Sequence, residues 1–445
     1  MHALSHNLTE ARQIFKYAPR RSIGINMAKT ALALAISLAA AGFAHAQEGT
    51  GVQAGPFRVK PTLGLTVGHD SNVGQSNTAE VSSFFTLISP GVRFDAGNEA
   101  RSFSLSYELE SGRYQDSSID NFTDHHLNAG LALSPSVRTK IDLGASLDRG
   151  HDRRGTNSLQ GLQNNLARDI DRWERKGLDV DFNYGAPGAR GSLGLGAGVS
   201  NINYINNESY TVRSDRDLRY VDGRFGWRVA PKTQVYFSAN NSEISYDTSR
   251  TRALLTNYFL DSSVRTYLLG LEFDATAKTS GHIGFGRTRR NFDDSRLQGY
   301  SGVVWDVGLQ FKPRSYSVID LSATRGTQES VDFLGSFAGA AAGTEYLIAR
   351  DITLSWTHGW SDRFHTGIDV GRSTSEYLAN DRTLRDDNLN FWGLSADYKL
   401  RDWLSLGAGY KSYRREADVA DANSATNALY DFDRDEFSVS FEASL

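Results

Sequence analysis

The chain has 445 residues, of which 39% are hydrophobic and 22% charged, with 42 glycines, 19 tyrosines, no cysteine and a formal charge of -4. The missing cysteine excludes disulfide staples, thiol chemistry and cysteine-ligated metal, and the near-neutral charge excludes the basic bias of a nucleic-acid-binding chain. The apolar content is low for a soluble α/β protein of this length, but it suits strands with one apolar face around a wet interior.

The N-terminus reads as a targeting segment. Arg12, Lys16, Arg20, Arg21 and Lys29 precede the apolar run 31–44, and Ala44-His45-Ala46 supplies a small-x-small cleavage pattern. Residues 1–46 are therefore expected to be a signal peptide, with Met27 an alternative start. The apolar run is short of the roughly 20 residues a spanning helix needs. Residues 47–56 read as a periplasmic stub, and 57–445 as one barrel domain.

From Phe57 onward one unit recurs: a period-2 strand, a connection, another strand. The apolar faces begin with Leu63/Leu65/Val67, then a segment over 81–94 whose phase is ambiguous because Phe84 and Phe85 are both apolar. Phe103/Leu105/Tyr107/Leu109, Leu127–Leu133, Ile141–Leu147, Leu178–Tyr184 and Leu193–Val199 follow on alternate residues. Next come 221–229, 235–239, 267–273, 283–285, 303–311, 319–323, 352–356, 368–370, 392–398 and 404–410. The last strand carries Phe437, Val439, Phe441, Ala443 and Leu445 on one face and is expected to close the barrel against the first. The expectation is an all-β, transmembrane, antiparallel up-and-down β-barrel of about 18 strands. A soluble sandwich is the alternative reading of the terminal strand alone.

The connections alternate in length. Turns at 96–99, 134–136, 186–188, 230–232, 312–314, 361–362 and 401–402 are short and use Gly, Pro, Asn and Asp, whose backbones suit turns. The segments 149–171, 206–217, 247–263, 326–344, 378–387 and 415–434 are long and polar. Short periplasmic turns and long extracellular loops sort in this way, whereas a sandwich has no reason to. Outward aromatics suggest two interfacial girdles. Tyr184, Trp227, Phe273, Phe311, Tyr398 and Trp403 lie toward the short turns, and Tyr107, Tyr246, Tyr267, Trp392 and Tyr410 toward the long loops.

The opposite face is expected to line a pore. It carries Glu108, Glu110, Asp142, Asp179, Asp181, Asp222, Arg224, Arg228, Glu272, Asp274, Asp306, Asp369, Asp397 and Lys399, with Tyr236 and Tyr413 offering ring faces to sugars. So many charges are too costly in a dry core, but a barrel of sixteen to eighteen strands encloses water. The set is acid-rich and is expected to disfavour small anions. Arg287 and Arg325 share the lipid-facing phase at long-loop ends and are read as rising past the hydrocarbon.

No catalytic constellation stands out, and an enzyme is not expected. His69-Asp70-Ser71 has triad residue types, but neighbours on a strand point to opposite faces. His125-His126 lacks matching metal ligands. Residues 431–436 alternate carboxylates like a calcium loop without its glycine. No metal or cofactor is expected. The basic loop clusters Arg153-Arg154, Arg172/Arg175/Lys176 and Arg414-Arg415 suit lipopolysaccharide phosphates. The apolar loop 333–340 is a candidate constriction.

The segment Pro61-Thr62-Leu63-Gly64-Leu65-Thr66-Val67-Gly68-His69-Asp70-Ser71-Asn72-Val73 is a proline-led strand followed by a ring residue and Asp-x-Asn. It resembles the outer-membrane β-barrel porins of exopolysaccharide biosynthesis and export operons (the EpsL type). His69 stands where tyrosine or phenylalanine is usual, and the chain closes on leucine in place of phenylalanine. The resemblance implies a conduit in the outer membrane of a Gram-negative bacterium for a secreted polysaccharide, working with a periplasmic polysaccharide export protein. Outer-membrane lipid, lipopolysaccharide and the barrel-assembly machinery are the other expected partners; nucleic acid is not one. A diffusion porin for small solutes is the competing function.

Overall fold

The computed structural model describes residues 51–252, 255–330, 344–420 and 424–444. The segment expected to be a signal peptide, the apolar loop 333–340 and Leu445 lie outside them. Eighteen long strands follow one another in chain order. They are β1 (Phe57–Asp70), β2 (Ser83–Asn98), β3 (Arg101–Tyr114), β4 (Phe122–Ser136), β5 (Thr139–Asp152) and β6 (Asp171–Tyr184). Then come β7 (Gly191–Tyr204), β8 (Arg216–Ala230), β9 (Thr233–Tyr246), β10 (Ser262–Phe273), β11 (Thr279–Phe292) and β12 (Tyr300–Arg314). The series ends with β13 (Ser317–Glu329), β14 (Tyr346–Gly359), β15 (Phe364–Ala379), β16 (Arg382–Arg401), β17 (Leu404–Val419) and β18 (Phe432–Ser444). Each pairs antiparallel with the next, and β18 returns to β1 from Thr62↔Ser444 to Asp70↔Glu436, so the sheet is a closed barrel without free edges. Among the described residues no helix is long and apolar enough to cross a membrane.

Period-2 patterning fixes which way each strand faces. Leu63, Leu65, Val67, Leu195, Leu269, Phe285, Leu354 and Phe441 are all exposed on the outer wall, as only a lipid-facing apolar band makes favourable. The ambiguous second strand resolves cleanly. Phe84 faces out at 60% exposure, whereas Phe85 faces in and packs with Val73, Tyr114, Phe122, Leu159 and Ile170. With strands about 4.8 Å apart and tilted about 40°, an 18-stranded circular barrel has a backbone radius of roughly 18 Å and a lumen roughly 25 Å across before loops intrude.

Three expectations need correction. Residues 378–387 do not form a long loop: β15 and β16 meet at Asn380-Asp381, both with positive φ (48° and 60°), the conformation of a tight type I′ hairpin. Pro135 and Pro313 are not at turn tips but in irregular strand ends, where the ladder skips residues before the true turns at 137–138 and 315–316; proline has no N–H to offer a ladder. Tyr246 is not part of an outward girdle. It shares the inward phase of β9 and is buried with Ile244, Tyr258, Leu260 and Leu297. The stub also gains structure, since Val52–Ala54 folds back as a short strand on the start of β1.

Candidate functional site

Glycines on the inner wall make room for the charged side chains of adjacent strands. Asp142 lies opposite Asp181, Asp181 opposite Gly196, and Gly196 opposite Asp222, so three carboxylates share one row across β5–β8. The Asp222 carboxylate leans over Gly196, 2.5 Å from where a Cβ would stand, and Asp179 leans over Gly144 at 2.6 Å. The Lys140 ammonium sits 3.0 Å from Asp142. Farther round, Arg224 is 2.6 Å from Glu272, and His282 is 3.2 Å from Asp306. Ser355 donates a hydrogen bond to Asp369 (2.5 Å), and Lys399 pairs with Asp402 (2.5 Å) while Asp397 is exposed beside it. Arg228 is half-buried near the short-turn end. Glu108 and Glu110 stand opposite His126 and Asp124 on β4.

Two of the expected wall residues sit differently. Asp274 lies beyond the end of β10 in the exposed 274–278 turn, its N–H donating to the Lys232 carbonyl (2.8 Å), because the strand stops at Phe273. Tyr236 faces in but is only 4% exposed. Its ring end lies over Gly270 and Gly284, and the Arg224 guanidinium covers it at 4.0 Å, so its faces are not available to a sugar. Tyr413 is half-buried, with the Arg434 guanidinium 5.3 Å from its ring.

At the long-loop end the Asp-x-Asn segment clasps the barrel seam. Asp70 is fully buried and accepts hydrogen bonds from Arg434 Nε (2.9 and 3.0 Å) and from the Asn72 N–H (3.0 Å), with Arg434 Nη2 at 2.7 Å. Asn72 donates to the Asp433 carbonyl (3.0 Å), and the Asp435 N–H donates to Ser71 Oγ (2.8 Å). Arg434 also pairs with Glu436. The alternating carboxylates of 431–436 are thus mostly strand residues, with Arg434 turned inward. His69 faces the other way, bonded to Ser82 (2.8 Å). His125 and His126 likewise diverge, toward Tyr107 and Asp148. Among the described residues no cluster of three or more metal-ligating side chains occurs.

The largest feature that sequence reasoning missed is the loop 153–170. It leaves β5, reaches across the mouth to β16 and β17, and returns to β6. Arg385 donates to Gln160 Oε1 (2.8 Å) and Arg415 to the Gly155 carbonyl (3.1 Å), joining strands six or more places apart around the barrel. Asn164 donates to the Gly74 carbonyl (2.5 Å), tying in the β1–β2 connection. Its own Leu159 and Ile170 are buried against Val73, Phe85, Tyr114 and Phe122, and its Arg154 pairs with Asp120 (2.5 Å). Arg385 is itself clamped between the rings of Tyr377 (3.9 Å) and Tyr430 (4.4 Å). Gly155 (φ +79°) and Gly161 (φ +58°) supply the turns, and both sit against other loops where a Cβ would clash. These glycines and the apolar Leu159, Leu162, Leu166 and Ile170 were the available sequence signals.

At the same end, Asp215 caps β7 by accepting the Tyr204 N–H (2.7 Å), and burial pushes its carboxyl up to about 6.

A closed 18-stranded antiparallel barrel, apolar outside and charged inside, with short turns at one end and long packed loops at the other, defines a transmembrane pore of the outer-membrane type. Residues 45–430 match the family described as "Putative beta-barrel porin 2", and the chain belongs to that family. Among solved structures it is similar to the copper transporter OprC (TM-score 0.50, 12% identity, covering 88% of this chain and 82% of that one). It is also similar to the FrpB iron transporter from Neisseria meningitidis (0.46, 10%, 87% and 82%) and to OpdK from Pseudomonas aeruginosa (0.47, 13%, 87% and 99%). At these identities the OprC likeness concerns the fold alone, and the two scores below 0.5 carry no argument. No curated protein matches the chain.

Proposed function

We propose that this protein is a gated conduit in the outer membrane of a Gram-negative bacterium, through which a secreted exopolysaccharide leaves the cell. The loop 153–170, pinned across the mouth by Arg385 and Arg415, is the observation that carries this reading. A mouth roofed from the outside suits a channel that opens for one cargo better than a permanently open sieve. The turns between strands at the other end have two to six residues, too short to reach across a lumen roughly 25 Å wide. That end is where a periplasmic polysaccharide export protein would deliver the chain. The acid-bearing, glycine-rich wall offers weak hydrogen bonds to a hydrated glycan of low negative charge, without a tight site to arrest it. The Asp70–Asn72 segment that resembles exopolysaccharide-operon porins supports the same assignment.

Deletion of the gene tests the proposal: surface polysaccharide is expected to fall, and an unchanged amount refutes export. The family description favours a second reading, a diffusion porin for small solutes. In planar bilayers, the gated conduit conducts little until residues 156–168 are excised. A large steady conductance of the intact protein supports the porin instead.

A further inference from the structure

The outer wall carries a feature that the pore does not use. Just beyond the apolar band at the long-loop end, seven arginines between β10 and β17 share the lipid-facing phase: Arg265 on β10, Arg287 and Arg289 on β11, Arg325 on β13, Arg350 on β14, Arg372 on β15 and Arg414 on β17. Arg325 stands directly opposite Arg350, and Arg265 opposite Arg289. Like charges facing each other across a sheet are destabilising unless an anion lies between them. Among the described residues five of the seven donate hydrogen bonds to neutral groups, Arg289 to Asn291 (2.9 Å) among them. Arg265 donates to Asn241 (3.2 Å), Arg287 to Ser301 (3.2 Å) and Arg372 to Asn388 (2.6 Å), while Arg325 donates to the Val303 carbonyl and the Tyr300 hydroxyl. Arg350 pairs with Glu376, and Arg414 with Glu416 (3.1 Å) and, more distantly, Asp433 (3.8 Å).

Below part of this arc the wall is indented. A groove of about 690 Å³ has Ile352, Leu354, Val370 and Trp392 along its apolar part, and Arg372, Arg414 and the single carboxylate Asp433 at its rim. Arg372 stands opposite Asn390, and Asn390 opposite Arg414, so the two arginines are two strands apart, about 10 Å. We propose that the β14–β17 groove binds a phosphorylated glycolipid of the outer leaflet, a lipid A type of molecule. One acyl chain lies along Ile352, Leu354 and Val370, and two phosphates of a sugar headgroup meet Arg372 and Arg414. The apolar floor, the two rim arginines, of which Arg372 faces no carboxylate and Arg414 would exchange its exposed pairing with Glu416 and Asp433 for a phosphate, and the position at the boundary of the apolar band match that amphiphile. A single-phosphate lipid bridges only one of the two arginines. Charge-assisted bonds from guanidinium to phosphate are the strong kind, and Arg is the residue suited to them.

The test uses the full chain, purified in detergent free of lipopolysaccharide, with bound lipid counted by native mass spectrometry. Bis-phosphorylated lipid A is expected to bind and to raise the melting temperature. Dephosphorylated lipid A, phosphatidylglycerol and inorganic phosphate are expected to bind at least tenfold more weakly. Losing two charge-assisted contacts in Arg372→Ala/Arg414→Ala should weaken lipid A binding by about tenfold or more, whereas Arg363→Ala, in a short turn, leaves it unchanged. Should the double variant fail to fold, Arg372→Gln alone gives the same comparison, since that side chain is exposed. Equal binding by wild type and variant overturns the site. Equal binding of phosphatidylglycerol overturns the glycolipid, and equal binding of inorganic phosphate overturns the lipid.

Discussion

The seam clasp can be tested by a double-mutant cycle on Asp70 and Arg434. Asp70 has no solvent exposure, and its carboxylate holds Arg434 through three contacts of 2.7–3.0 Å, helped by the Asn72 N–H. Arg434→Met leaves that carboxylate with one backbone donor and the distant Arg153 at 3.8 Å. Stranding a buried charge in this way costs about 3–5 kcal/mol. Asp70→Asn is milder, about 2–3 kcal/mol, because Arg434 keeps Glu436 and the Tyr413 ring. In Asp70→Asn/Arg434→Met neither charge is stranded, so the double variant should be less destabilised than the sum of the singles by roughly 2 kcal/mol. Urea unfolding in lipid vesicles, followed by tryptophan fluorescence, measures each corner of the cycle. Additive costs, with coupling under about 0.5 kcal/mol, would refute the claim that this pair locks the first strand to the last.

Other consequences follow from facing, charge and burial. Leu195→Arg places charge near mid-bilayer on a residue 49% exposed on the outer wall and should cost about 2–4 kcal/mol. Gly196→Arg points into the lumen, must displace only the Asp222 carboxylate, and should cost much less; equal unfolding free energies would contradict the assigned faces. Neutralising Asp142, Asp181 and Asp222 together should move the reversal potential in a salt gradient toward zero from a cation-selective value. Anion selectivity of the wild type would defeat this. Asp215, with its carboxyl pushed up to about 6 by burial, binds a proton more tightly folded than unfolded. Its contribution to stability is therefore full below about pH 4 and is lost as pH rises through about 6. Asp215→Asn should flatten the pH dependence of the melting temperature between about pH 4 and 6, and an unchanged slope counts against it.

Period-2 alternation determined the barrel. A lipid-facing strand has no other way to hide its backbone, so apolar faces from Leu63 to Phe441 were legible residue by residue, as was the alternation of short and long connections except at the 380–381 hairpin. The strand with two adjacent phenylalanines was not legible, because Phe85 faces a lumen that becomes dry only where the loop 153–170 packs over it. For the same reason Tyr246 passed for a girdle residue, and the mouth-crossing loop went unseen. Its anchors on Arg385 and Arg415 lie more than two hundred residues away in sequence, and nothing local encodes such a meeting. The Asp-x-Asn segment was visible as a motif, but its work on Arg434 appears only when closure brings the two ends of the chain together. Local repetition thus determines a wall, whereas contacts across a closed ring decide its seam and its roof.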